Sequence, residues 1–196
     1  MAKKKKDSKL SSLRIIGGTH RGRKILVAEE PGLRPTGERM RETLFNWLAP
    51  YIEGASVLDA FAGTGILGFE SISRGAKNAL LLESSSAVAR QLNQTSESLG
   101  LQADIRQQNA LEFFRSDADL GSHKFDVIFL DPPFDTSLLQ QSMSLLDQSH
   151  LLKPNALIYL EWAKSQPQPV PPQNWAGFKE KSMGDVSCAI YQLRLA

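Results

Sequence analysis

Asp131-Pro132-Pro133-Phe134 follows the apolar run Val127-Ile128-Phe129-Leu130, so an acidic side chain and a restricted backbone meet at the carboxyl end of a strand candidate. That combination suits a poor nucleophile. The exocyclic amine of a base has its lone pair delocalised into the ring and must rehybridise as an electrophilic carbon approaches. Acceptors aimed at its N–H groups favour the change, because they hold the developing ammonium more strongly than the neutral amine. The Asp131 carboxylate is one acceptor and the Pro132 carbonyl a second, while Phe134 can stack on the base, a contact worth about 1–3 kcal/mol in single-strand binding. An ordinary aspartate, with a pKa of about 3.9, does not deprotonate a neutral amine. Asp131 is therefore expected to accept a hydrogen bond and to take up a proton late. A strand capped by a tight proline turn would explain the prolines alone; the adjoining aromatic and a Gly-rich segment upstream favour chemistry.

That upstream segment is Val57-Leu58-Asp59-Ala60-Phe61-Ala62-Gly63-Thr64-Gly65-Ile66-Leu67-Gly68, a strand running into a glycine turn that opens a helix. Such a turn lets backbone pass close beneath a ligand and aims helix N-terminal N–H groups at it. The pattern also marks nicotinamide and flavin proteins, so position must sharpen it. Asp59 ends the strand, where a carboxylate can face a cationic amine, and Glu83 ends the next strand candidate, where it can accept from both hydroxyls of a ribose; a solvated strand end would explain Glu83 standing alone. Phe61, Gly63, Thr64 and Gly65 complete the turn as cofactor candidates. Asn109-Ala110 follows a further strand candidate, where a side-chain amide and a backbone N–H can read an adenine edge; a helix N-cap at Asn109 explains the residue equally well. Before these motifs lies a run of cations, with Arg21, Arg23 and Lys24 in a hairpin and Arg34 in the loop after it. These are candidates for nucleic-acid phosphates, which fix a strand without reading its sequence.

The elements that hold these residues alternate. Strand candidates at Ser56–Ala60, Asn78–Glu83, Ala103–Gln107, Phe125–Asp131 and Ala156–Glu161 are separated by helix candidates at Gly65–Arg74, Ser85–Leu99, Ala110–Arg115 and Thr136–Asp147. This pattern predicts an α/β fold with a parallel sheet covered on both faces. Leu13–Ile16 and Lys24–Val27 read as a small N-terminal hairpin, and a helix opening at Thr36 is expected to stop at Pro50. Pro167–Pro172 can be neither helix nor central strand. Gly177–Ser182 and Val186–Arg194 read as a closing hairpin around Gly184-Asp185.

With 196 residues the chain fits one core with a small appendage, divided as a disordered basic tail over 1–12, a hairpin and helix over 13–50 and the α/β core over 51–196. Net charge is +2, but residues 1–50 carry 12 Lys or Arg against 5 Asp or Glu, whereas residues 51–196 carry 11 against 16. A basic extension on an acidic domain points to a nucleic-acid partner. The apolar runs are far short of the roughly 20 residues of a membrane span, and the Lys-rich start lacks the apolar stretch of a signal peptide. The single cysteine, Cys188, excludes an internal disulfide and a cysteine-based zinc site, and the chain is expected to be cytoplasmic and free of metal.

Over nearly its whole length the sequence resembles the bacterial 16S ribosomal RNA guanine-N2 methyltransferases. The resemblance is carried by Arg14-Ile15-Ile16-Gly17-Gly18, Arg21-Gly22-Arg23-Lys24, Leu33-Arg34-Pro35-Thr36, Arg39 to Trp47, Asp59 to Glu70, Glu83 and Asp131 to Phe134. It implies a class I Rossmann-like methyltransferase fold whose seven-stranded, mostly parallel sheet ends in an antiparallel strand, with S-adenosylmethionine above Gly63 to Gly68. It implies as substrate a guanine of 16S ribosomal RNA, expected within the small subunit or its assembly intermediate; a monomer is expected, though neither motif nor resemblance bears on oligomeric state. Asn109 departs from the aspartate common in this class. Two other readings share part of the pattern: an amino-methyltransferase acting on DNA or on a protein glutamine, and a nucleic-acid-binding module that keeps the fold without catalysis.

Overall fold

A computed structural model of the chain describes residues 11–27, 37–116, 124–133 and 137–194. The parallel sheet expected from the alternating pattern is its centre. Strands β3 (Ser56–Asp59), β4 (Asn78–Glu83), β5 (Asp104–Gln107), β6 (Phe125–Leu130), β7 (Leu152–Ala163), β8 (Trp175–Met183) and β9 (Val186–Leu193) form one seven-stranded sheet in the order β5-β4-β3-β6-β7-β9-β8. The first five are parallel, and β9 runs antiparallel between β7 and β8. The chain therefore leaves β3 towards one edge and returns to start β6 on β3's other side, which opens a crevice above β3 at the carboxyl ends of the strands.

Two apolar layers flank the sheet because its strands are buried on both faces, as their near-continuous apolar runs require. On one face α1 (Glu38–Ile52), α2 (Ile66–Ser73) and α3 (Ser86–Leu99) pack through Leu44, Phe45, Phe69 and Leu92 against Val57, Leu81, Phe129 and Tyr159. On the other, α4 (Ala110–Arg115) and α5 (Leu138–Gln148) pack through Phe113, Met143 and Leu146 against Leu58, Ile128 and Ile158. An N-terminal hairpin of β1 (Ser11–Arg14) and β2 (Lys24–Val27) joins the first layer through Ile15 and Ile25.

Several boundaries differ from the sequence expectation. Pro50 does not end α1, which continues to Ile52. A proline removes the N–H that would bond the carbonyl one turn back, so its cost falls on the preceding turn, and burial of Ile52 holds the final residues helical. The predicted opening at Thr36 lies outside the described residues, and α1 starts at Glu38. The first strand ends at Arg14, because the N–H of Ile16 turns to the Glu70 carboxylate at 2.8 Å. Strand β7 begins at Leu152, four residues early, accommodating Pro154 beside Asn155 at φ 64° where its register against β6 is irregular. Pro167–Pro172 forms no regular element, and its Val170 backbone is tied to the Gln140 side chain of α5.

Candidate active site at the carboxyl ends of the parallel strands

The turn after β3 is pinned between both neighbouring strands: the Ala60 N–H donates to the Phe129 carbonyl at 3.1 Å and the Ala62 N–H to the Leu82 carbonyl at 2.9 Å. Gly65 caps α2 at φ 73°, a conformation that favours glycine, and a Cβ there would stand 2.6 Å from Leu92 and Phe69. Gly68 lets α2 lie against β4, since its Cβ would stand 2.7 Å from Leu81. The glycines are thus required by the protein's own packing, and the turn they permit leaves Phe61, Gly63 and Thr64 partly exposed at the crevice.

The two acids of this site point differently. Asp59, read from sequence as facing a cationic amine, is only 2 % exposed, and its Oδ2 accepts from the Gly68 N–H at 3.1 Å. It lies beneath the turn and anchors the first turn of α2, where a negative charge meets the positive end of the helix dipole. Burial, with the neighbouring charge of Glu83, pushes its pKa up to about 7 despite backbone N–H groups from Gly68 and Phe61 that favour the carboxylate. Glu83 is half-buried at the end of β4, where Oε2 accepts from the Gly63 N–H at 3.0 Å and Oε1 from the Ser85 N–H at 2.8 Å. A carboxylate has lone pairs beyond these two. The Asn109 side chain caps α4, its Oδ1 accepting from the N–H groups of Leu111 at 2.9 Å and Glu112 at 3.3 Å, with the Ala110 side chain buried behind it.

Asp131 stands half-buried just beyond β6, with Pro132 buried and Pro133 exposed. Because Asp59 pairs with Phe129 across β3 and β6, the Asp131-Pro132 segment leaves the sheet beside the glycine turn, about one strand spacing of ~4.8 Å away. Phe134 lies outside the described residues, as does Arg34. Sequence reasoning passed over an acid beside Asp131: Glu161, 3 % exposed on β7, accepts from the Tyr159 hydroxyl at 2.7 Å. The signal was available, since Glu161 ends an apolar strand candidate as Glu83 does.

Arg21, Arg23 and Lys24 are exposed at the hairpin tip, but the structure does not bring them to the crevice. Parallel β3 and β4 require α2 to run back from the crevice to the opposite end of the sheet. The tip is docked on that far end: Ser73 Oγ donates to the Gly17 carbonyl at 2.6 Å and accepts from the His20 N–H at 2.9 Å. Gly18, at φ 74°, lies so close that a Cβ would overlap the Ser73 carbonyl oxygen. Beneath the hairpin is Glu70, 0 % exposed, which bonds Arg74 Nε at 2.7 Å and the Ile16 N–H at 2.8 Å and lies 3.8 Å from Arg41. Arg41, 1 % exposed, also donates to the Arg14 carbonyl at 3.0 Å, so this arginine serves hairpin docking. Among the described residues no group of three His, Cys, Asp or Glu could hold a metal, and no helix is long and apolar enough to cross a membrane.

Residues 13–192 match a family model described as Conserved hypothetical protein 95. The chain is 48% identical over 183 residues to ribosomal RNA small subunit methyltransferase D of Haemophilus influenzae, covering 92% of this chain and 93% of that protein. It is 44% identical over 191 residues to the Escherichia coli K12 protein of the same name, covering 97% and 94%. A solved Escherichia coli structure superposes with a TM-score of 0.85 at 38% identity, over 95% of this chain and 100% of the other.

Proposed function

The chain belongs to the Conserved hypothetical protein 95 family, and from that membership we propose that it methylates the exocyclic N2 amine of a guanine in 16S ribosomal RNA, using S-adenosylmethionine. One observation carries the chemistry: β3 and β6 are paired neighbours, so the glycine turn and the Asp131-Pro132 acceptors leave the sheet side by side. The crevice fits an adenosine-bearing cofactor. Its partly exposed floor is Phe61, Gly63 and Thr64, and Glu83 stands over it with lone pairs for ribose hydroxyls. Asp59 and Asn109 support this site from beneath the turn and from the cap of α4. When bound, S-adenosylmethionine supplies the electrophilic methyl group.

The protein's own contribution is orientation and electrostatics. Asp131 and the Pro132 carbonyl accept from the amine's two N–H groups and hold its lone pair towards the cofactor side of the crevice, and the prolines fix these acceptors before reaction. Asp131 then receives or relays the proton the amine loses. Phe134 is assigned to stacking on the base, and Arg34 to a substrate phosphate. A paired base cannot present its edge this way, so the target is extruded from its stack. The hairpin cations, docked at the far end of α2, would hold RNA backbone away from the extruded base. A substrate of that breadth favours the small subunit or its assembly intermediate over a short free strand, and the enzyme acts as a monomer.

Incubation with isotopically labelled S-adenosylmethionine and small subunits lacking their modifications, followed by digestion to nucleosides and mass spectrometry, tests this reading. Label in N2-methylguanosine is expected. Label in methylated adenosine or cytidine, or in protein, overturns the substrate. In the same assay Asp131→Ala should abolish transfer while calorimetric cofactor affinity stays within about threefold of wild type, and Asp131→Asn should retain part of the activity.

A further inference from the structure

The parallel pairing of β6 and β7 sets a second carboxylate beside Asp131. Phe129 pairs with Tyr159 and Leu130 with Leu160, so one further residue brings Asp131 level with Glu161. Continuing the strand's two-residue period one step past β6 returns both acids to the sheet face of Phe129 and Tyr159, whose rings lie 6.1 Å apart, and both act electrostatically on Tyr159. Glu161 is held there by the Tyr159 hydroxyl at 2.7 Å. Burial first, then the charges of Glu161 and Asp131, keep the Tyr159 proton in place, so the phenol is a donor and Glu161 its acceptor.

We propose that Glu161 selects guanine, its carboxylate accepting the N1–H of the base whose N2 amine is held by Asp131 and the Pro132 carbonyl. The inference rests on the methyl-transfer reading above and adds to it the choice of base. A planar amine alone does not identify guanine, since adenine and cytosine present one as well. The atom next to the amine does. In guanine one ring neighbour is N1–H, a donor, while N3 on the other side carries a lone pair; in adenine and cytosine neither neighbour is a donor, and the one on the pairing edge is a ring nitrogen with a lone pair. Asp131, just beyond β6, and Glu161 on the adjacent β7 are set by this register about one strand spacing of ~4.8 Å apart, and neighbouring donors on one base edge match two acceptors so placed. A ring lone pair facing a buried carboxylate is repelled, with no water to intervene. A carboxylate offers about four lone-pair sites, so accepting from a phenol does not exhaust it.

The test uses 16S RNA assembled by ligation so that the target position carries either guanine or 2,6-diaminopurine, and packaged into small subunits. Diaminopurine keeps the N2 amine but has a lone pair at N1. Wild type is expected to favour guanine in kcat/KM by roughly 100-fold or more, as for sites built around a required donor. Glu161→Gln, whose amide can accept or donate, should narrow that ratio at least about tenfold. Tyr159→Phe, which leaves the charge but removes the phenol's bond to the carboxylate, should narrow it less. Wild type methylating both bases with similar kcat/KM overturns the proposal whatever the variants do. A folded Glu161→Gln that loses activity on both substrates with the ratio intact also overturns it, leaving Glu161 a support for Tyr159. If Glu161→Gln does not fold, an unchanged ratio in Tyr159→Phe has the same force. Absence of N2-methylguanosine from the guanine substrate with wild type would instead sink the methyl-transfer reading itself.

Discussion

Asp59→Asn decides whether the acid beneath the glycine turn supports the turn or reaches the cofactor. Its pKa is pushed from an ordinary 3.8 to about 7, chiefly by burial. A folded-state value above the unfolded one means that the native protein holds the extra proton between those two pH values. The stability this proton provides is fully present below about pH 4, declines as pH rises and is lost above about 7. The interval spans about three pH units at about 1.4 kcal/mol each, so the ionised carboxylate costs up to ~4 kcal/mol at pH 8 relative to a neutral group of the same shape. Asparagine is that group, and its amide oxygen can still accept the Gly68 N–H that Asp59 accepts at 3.1 Å. The variant should match wild type near pH 4 and become the more stable protein by pH 8. Urea unfolding of the cofactor-free protein between pH 4.5 and 8.5, followed by circular dichroism, measures the difference. A difference that does not change with pH refutes the buried ionisation. Calorimetry with S-adenosylmethionine in the same buffers separates the roles. Turn support predicts affinity within about threefold of wild type, whereas a direct bond from the carboxylate to the methionine amine predicts a loss of about 1.5–3 kcal/mol.

Glu83→Ala should weaken S-adenosylmethionine binding by about 1.5–3 kcal/mol, because it removes the ribose acceptor and leaves the Gly63 and Ser85 N–H groups without theirs; calorimetric affinity equal to wild type would return Glu83 to a strand-end role. Neutralising Arg21, Arg23 and Lys24 together should flatten the salt dependence of RNA binding by up to about 0.7 in slope per lost phosphate contact, with cofactor affinity unchanged. A wild-type slope in a filter-binding series would remove the hairpin tip from the RNA interface. Glu70→Ala breaks a buried ion pair and should cost about 3–5 kcal/mol in chemical unfolding. It should also speed proteolysis within residues 13–27, and a hairpin as resistant as wild type would show that Glu70 does not dock it.

Much of the architecture was legible because a parallel sheet writes its strands as apolar runs and its helices as longer amphipathic ones. Asn78–Glu83 and Ala110–Arg115 were bounded as the structure has them, and the glycine turn and the prolines marked two strand ends without any knowledge of their partners. Residue type and local spacing carried that much, since a turn residue or a strand end acts within a few positions of itself. The other features depend on partners distant in the chain. Pro50 stays helical because Ile52 is buried, and Asp59 turns inward because Gly68 presents an N–H beneath the turn. The cations of Arg21 to Lys24 form one cluster in sequence, yet Ser73 and Glu70, some fifty residues later, hold their hairpin at the far end of α2. Glu161 meets Asp131 only through the register of β6 on β7. Local pattern can predict that two strands exist, but register is fixed by which side chains fill the core between them, so only the folded sheet decides which acids stand together.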